Sequence, residues 1–146
     1  EVANARFIRE ALEVAVARKA ALEAESSHHA ILDGLIERQY QANRAGDLAE
    51  FLRLDETFHQ AIAQAADCER AWRLLENLKA QMDRVRYLSL ADATPLETLI
   101  EQHAVIADSI RRHDADAAET GIREHLSEIL TSLPKVAAAH ADWFTD

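Results

Sequence analysis

Asp55 and His59 stand four residues apart in the segment Asp-Glu-Thr-Phe-His, and His103 and His125 follow on two later stretches of helical pattern. One carboxylate and three imidazoles form an N3O donor set, which suits a divalent transition ion such as Zn, Ni, Mn or Fe. Four protein ligands leave one or two coordination positions for water or an anion, so a small acid can reach such an ion through its own carboxylate. Residues four apart on a helix share a face, which lets a carboxylate oxygen and an imidazole nitrogen meet at one point.

The face these residues occupy sets them apart. On a helical wheel for residues 48–66 the apolar side is Leu48, Phe51, Leu52, Leu54, Phe58 and Ile62, with Glu50, Arg53, Thr57, Gln60 and Gln64 opposite. Asp55 and His59 project into the apolar side, where a carboxylate and an imidazole are costly unless something binds them. His103 sits in the middle of a second inward stripe, Leu96, Leu99, Ile100, Ile106 and Ile110. His125 stands at the edge of a third, Ala118, Ile122, Leu126, Ile129 and Leu133. A lone histidine on such a stripe is more often a core polar group satisfied by a neighbour. Four ligand-type side chains on three core stripes favour a shared ion.

The other histidines have simpler explanations. His28 and His29 are adjacent and point about 100° apart on a helix, so they cannot chelate one ion together. His113-Asp114 reads as a helix end followed by a capping Asp, and His140 lies near the chain terminus. Arg9 borders the apolar side of the first helix and Arg86 flanks that of the fourth. Each offers either a fork for a carboxylate ligand or an ordinary ion pair, for Arg9 with Glu10 or Glu13.

The 146 residues are enough for one domain with a real core. Ala, Leu, Glu and Arg abound while there are only 3 Gly and 2 Pro, which is a helical composition. The net charge of -10 repels a nucleic-acid backbone, and neither a basic patch nor zinc-finger spacing offsets it. The single cysteine, Cys68, excludes an internal disulfide and fits a reducing, cytoplasmic setting. No apolar run approaches a membrane span, and the start, lacking Met, reads as that of a fragment.

These elements must hold the donors: an all-α antiparallel bundle of six helices, with room for a seventh. Helix one covers about residues 3–24 with Ile8, Leu12, Ala15 and Val16 inward. Ser26 or Ser27 caps helix two, which buries Ile31, Leu32, Leu35, Ile36 and Tyr40. The joint Arg44-Ala45-Gly46-Asp47 leads to helix three, which stops near Ala66. Helix four, about residues 69–90, buries Leu74, Leu75, Leu78, Met82 and Val85. Thr94-Pro95 opens helix five, and Asp114 starts helix six, which Pro134 is expected to break after Leu133. The seventh would reach Trp143. Joints this short imply antiparallel neighbours.

Several motifs recur together along the chain: Arg9-Glu10-Ala11-Leu12-Glu13, Leu54-Asp55-Glu56-Thr57-Phe58-His59, Asp83-Arg84-Val85-Arg86 and Glu101-Gln102-His103-Ala104-Val105-Ile106. Asp114-Ala115-Asp116-Ala117-Ala118 then leads to Arg123-Glu124-His125-Leu126. In this order and spacing the whole chain resembles the C-terminal effector-binding (FCD) domain of GntR-type transcription regulators of the FadR subfamily. Its six helices resemble the VanR-like branch. The resemblance implies that Asp55, His59, His103 and His125 bind the metal, with a small carboxylate effector beside it touched by Arg9 and Arg86. It further implies a homodimer and a winged helix-turn-helix, N-terminal to these residues and absent from them, through which alone the protein meets DNA. Effector binding would then shift the helices and change the spacing of two DNA-binding heads. Sugar acids and short hydroxy- or dicarboxylates are the expected effectors, since they chelate a metal and pair with Arg.

The main rival is a metal-dependent enzyme on a helical bundle, such as a DinB-like transferase or hydrolase. It lacks a general base: Glu56 and Glu124 each project about 100° away from the ligand beside them. A purely structural metal site in a dimerising module is the third reading. The expectation is therefore a sensor without catalytic activity.

Overall fold

Among the described residues the helical composition resolves into six helices. The computed structural model describes residues 2–78 and 95–139, with side chains for residue 4 and for residues 6–78 and 95–128. They are α1 (Val2–Glu23), α2 (Ser26–Arg44), α3 (Leu48–Ala65), α4 (residues 69–78 in its described part), α5 (Leu96–Arg111) and α6 (Ala115–Ala139). No strand occurs among the described residues, and no helix there is long and apolar enough to cross a membrane.

One device makes three of the joints. After α2, α3 and α5 the chain takes a single left-handed residue: Gly46 (φ 68°), Asp67 (φ 52°) and His113 (φ 56°). The next amide then reaches back five residues, Asp47 N to Ala42 O, Cys68 N to Ala63 O and Asp114 N to Ser109 O, which satisfies carbonyls the helix end would leave open. Asp47 and Asp114 go straight on to cap the following helices, their carboxylates accepting from the Glu50 and Ala117 amides. Stop and start are thus fused within three residues, which fixes the rotation of α3 and α6 and so the direction of their ligands.

The described helices close a ring in the order α1, α6, α5, α2, α3 and back to α1. Its interior is filled by Phe51, Leu54, Phe58, Ile100, Ile106, Ile110, Ile122 and Leu126. Alanines line the inner face of α1 at 17, 20 and 21, with buried Ala24 just past its end, which lets its neighbours approach closely. Gly121 does the same for α6: a Cβ there would lie 3.1 Å from Ile106 Cγ1.

The structure corrects several expectations. Ile8, Ala15, Ile31 and Leu74 face solvent. On α1 the inward stripe instead starts with Arg9 and Glu13 and continues through Val16, Ala17 and Ala20, a rotation that an apolar wheel misses because its first members are charged. On α4 Trp72 takes the core place expected of Leu74. The N-cap of α2 is Glu25, one residue before Ser26, and its amide donates to His28 Nδ1. Finally, α6 runs through Pro134 to Ala139: proline removes one N–H rung, and the alanines beyond it favour helix. Met82, Val85, the remainder of helix four and the seventh helix lie outside the described residues.

Two glycines should respond oppositely to alanine. Gly34 sits in the exposed interior of α2 with nothing within 4 Å of an added Cβ, whereas Gly46 needs its positive φ. Gly34→Ala is expected to raise stability by about 1 kcal/mol and Gly46→Ala to lower it by about the same, read as opposite shifts of the thermal midpoint.

Candidate metal centre

α3 supplies Asp55 and His59 one turn apart, α5 supplies His103 and α6 supplies His125, and all four are between 0% and 4% exposed. Their ligand atoms lie within 4.8 Å of one another. Asp55 Oδ1 is 3.5 Å from His59 Nε2, 3.0 Å from His103 Nε2 and 3.9 Å from His125 Nε2. His125 Nε2 is 3.3 Å from His59 Nε2 and 3.2 Å from His103 Nε2. Ligand bonds of about 2.1 Å imply donor–donor edges of roughly 3.0–3.4 Å, so this cluster has the size of one coordination shell. The chain's own residues therefore fit a single divalent ion. Phe58 stacks on His103 at a centroid distance of 4.4 Å and walls one side.

The direction of the three rings is what gives the cluster its chemistry. His59 Nδ1 lies 2.5 Å from Glu13 Oε1, His103 Nδ1 2.6 Å from Gln39 Oε1, and His125 Nδ1 2.9 Å from Gln102 Oε1. Each oxygen accepts, so each Nδ1 carries the proton and each Nε2 presents a lone pair. Three lone pairs and a carboxylate then face one another in a dry interior, and they repel unless a cation lies between them. Glu13 comes from α1, Gln39 from α2 and Gln102 from α5, so every helix of the described ring contributes to the centre.

The charges follow from the same contacts. Burial by itself raises the Glu13 carboxyl, but Arg9 and His59 at its two oxygens hold it well below the ordinary carboxylate range. Arg9 is fully buried, its Nε 2.5 Å from Glu13 Oε2. Burial also disfavours a charged His59 ring, yet Glu13 and Asp55 outweigh it and raise its pKa. A proton is thus the ion's competitor for this site.

The four ligand residues named from the sequence are brought together. Arg9 is drawn into the interior through Glu13, and Arg86 lies outside the described residues. His28 caps α2, His113 donates through Nδ1 to Ala21 O, and His29 meets His113 edge to face, so none joins the cluster. His140 is outside the described residues. Sequence reasoning missed the three acceptors. Gln39 was legible, as a polar member of the buried stripe Leu32, Leu35, Gln39 and Ala42. Glu13 stood one turn from Arg9, while half-buried Gln102 carries no periodic signal.

The FCD domain profile matches residues 5–128 of the chain. The HTH-type transcriptional repressor RspR of Escherichia coli K12 is 40% identical over 146 residues, all of this chain and 64% of its own length. An uncharacterized HTH-type transcriptional regulator in an unstable DNA locus of Streptomyces ambofaciens is 29% identical over 144 residues, 98% of this chain and 60% of its own length. The HTH-type transcriptional regulator BphR of Paraburkholderia xenovorans is 26% identical over 135 residues. The chain spans less than two thirds of the length of these relatives.

Two outcomes test the centre. Gln39 Nε2 is buried without a hydrogen-bond partner, so Gln39→Leu should leave metal-free stability within about 1 kcal/mol while lowering metal affinity roughly 10–100-fold, measured by competition with a chromophoric chelator. Unchanged affinity would remove the orienting role. The raised pKa of His59 sets the pH dependence. In the metal-free protein its protonation stabilises fully below the unfolded value of about 6.5, and that contribution is lost as pH rises through the raised folded value. Metal must expel this proton, so the thermal shift on adding Zn should grow as pH rises from about 6.5 through the raised folded value. A shift independent of pH would contradict it.

Proposed function

This chain belongs to the FCD-domain family, and we propose that it is the ligand-sensing domain of a bacterial GntR-type transcription regulator. In this reading Asp55, His59, His103 and His125 bind one divalent transition ion, Zn, Ni, Mn or Fe. A small organic acid (a sugar acid, a hydroxy acid or a dicarboxylate) completes the coordination. Arg9 and Arg86 are the cations assigned to that acid. The domain acts as a cytoplasmic homodimer, and DNA is read by a separate helix-turn-helix part of the protein, in keeping with the HTH-type names of its relatives.

The observation that carries this reading is the locking of all three Nδ1 protons, which leaves three Nε2 lone pairs and one carboxylate converging in a dry interior. Four protein ligands saturate a tetrahedral ion but leave one or two places on a five- or six-coordinate one, where a carboxylate binds. Among the described residues, Glu56 and Glu124, the acids adjoining the ligands, are both exposed, which gives turnover no support there. Sensing needs only that the acid bind one arrangement of the helices better than another.

Metal analysis of the purified protein and of an Asp55→Ala/His59→Ala variant is the deciding experiment, with thermal shifts against a panel of organic acids. About one ion per chain is expected, lost in the variant, and one class of acid should raise the midpoint by roughly 5–10 °C only when metal is present. Absence of metal together with unchanged variant stability would sink the reading. Metal without a response to any acid would leave a structural centre and no sensor.

A further inference from the structure

A cation must pass through protein to reach this centre. Its four ligand residues are between 0% and 4% exposed, so filling or emptying it requires a transient opening. Glu13, Gln39 and Gln102, which orient the histidines, lie just outside the ligands and differ in depth. Gln39 is fully buried, and Glu13 is buried and held in an ion pair with Arg9. Of the three, only Gln102 is half-buried. Its carboxamide accepts from His125 Nδ1 at 2.9 Å and donates to Glu128 at 3.3 Å. Turning that side chain outward breaks two hydrogen bonds, strands no buried charge and moves no helix.

Gln102 also lines a cleft. Between α5 and α6, Thr98, Glu101, Gln102, Val105, Gly121 and Glu124 surround about 210 Å³ that opens to solvent. At about 30 Å³ per water this holds roughly seven molecules, enough for a divalent ion with a first shell of six. Glu101 and Glu124 are exposed, and neither carboxylate has a hydrogen-bond or ion-pair partner among the described residues. Further along the same helices Asp108, Asp116 and Glu119 are each engaged by arginines. Two carboxylates left without such a partner draw cations into the cleft and repel an organic acid, so the cleft discriminates metal from effector.

We infer that the α5–α6 cleft is the entrance to the metal centre and that Gln102 is its gate. A divalent cation enters between Glu101 and Glu124, and Gln102 turns outward. His125, freed from its outer hydrogen bond, can then turn its ring to meet the ion. Waters leave the ion as protein ligands replace them, and Gln102 re-engages His125 Nδ1 behind it, which holds the filled centre closed. The inference rests on the metal reading above and adds to it the route by which the centre is loaded. Entry and exit share one path. Whatever obstructs that path slows uptake and release alike and leaves the equilibrium affinity unchanged.

Zn release and Zn affinity, measured on the same protein, separate a passage from a ligand. Release is the plateau rate on mixing Zn-loaded protein with excess chromophoric chelator. Affinity comes from equilibrium competition, and the two together give the uptake rate. Val105→Trp, at a 54% exposed position on the cleft, should slow release and uptake severalfold with affinity unchanged. Glu101→Gln/Glu124→Gln should slow both by about tenfold at low ionic strength and flatten the fall of uptake with added salt. Glu23→Gln/Glu37→Gln removes two exposed carboxylates outside the cleft and should leave both rates at their wild-type values. Either cleft variant decides alone if the other fails to fold. Wild-type rates in a folded cleft variant, or unchanged release with weakened affinity, would overturn the inference and leave the metal centre standing. Equal slowing in the Glu23/Glu37 control would also overturn it, since net charge and not the cleft would then set the rate. A wild type that takes up no Zn would overturn the metal reading itself, and this inference with it.

Discussion

Like-polarity donors forced together without water are the constraint on which this bundle depends. Nε2 of His59, His103 and His125 and Oδ1 of Asp55 meet at edges of 3.0–3.9 Å in a space closed by Phe58 and by the helices themselves. Nothing in an apolar core favours such a meeting. It is stable only when positive charge lies at its centre, whether protons or a metal ion, and the three Nδ1 acceptors favour the metal by holding the protons on the outer nitrogens.

The ring of helices can be understood as the apparatus for that meeting. α3, α5 and α6 carry the ligands, while α1, α2 and α5 carry the acceptors that turn them, so each ligand histidine is held by a helix other than its own. An ion at the centre would join all five helices of the described ring, whereas any pair of apolar neighbours joins only two. Packing by Leu, Ile and Phe supplies most of the stability, but it tolerates small slides. Coordination does not. In the proposed reading, such a centre would convert the arrival of a small ligand into a definite displacement of helices.

α1 shows why part of this was hidden from the sequence. A wheel ranked by hydropathy turns Ile8 and Ala15 inward, and the molecule turns them out. The error comes from treating charge as a mark of the surface. Arg9 and Glu13 are inside because each satisfies the other and because His59 needs an acceptor, and only the position of α3 beside α1 creates that need. Asp55 and His59 were legible by contrast, because the six apolar residues around them on one helix declare the buried face without reference to any other helix.

The sequence by itself determined what is local. Helical composition, low glycine and short joints specify an all-α antiparallel bundle, and Gly46-Asp47 and His113-Asp114 mark its turns. Periodicity on α3, α5 and α6 puts Asp55, His59, His103 and His125 on inward faces, which names the donor set. The tertiary structure decided which helices adjoin, and therefore that the four donors share one point. It also decided that Glu13, Gln39 and Gln102 orient them and that α1 is rotated toward its charges. The physical reason is that a helix's buried face follows from its own residues at a spacing of 3.6. A hydrogen bond such as Glu13 to His59, 46 residues apart, exists only once two separate helices have been brought side by side.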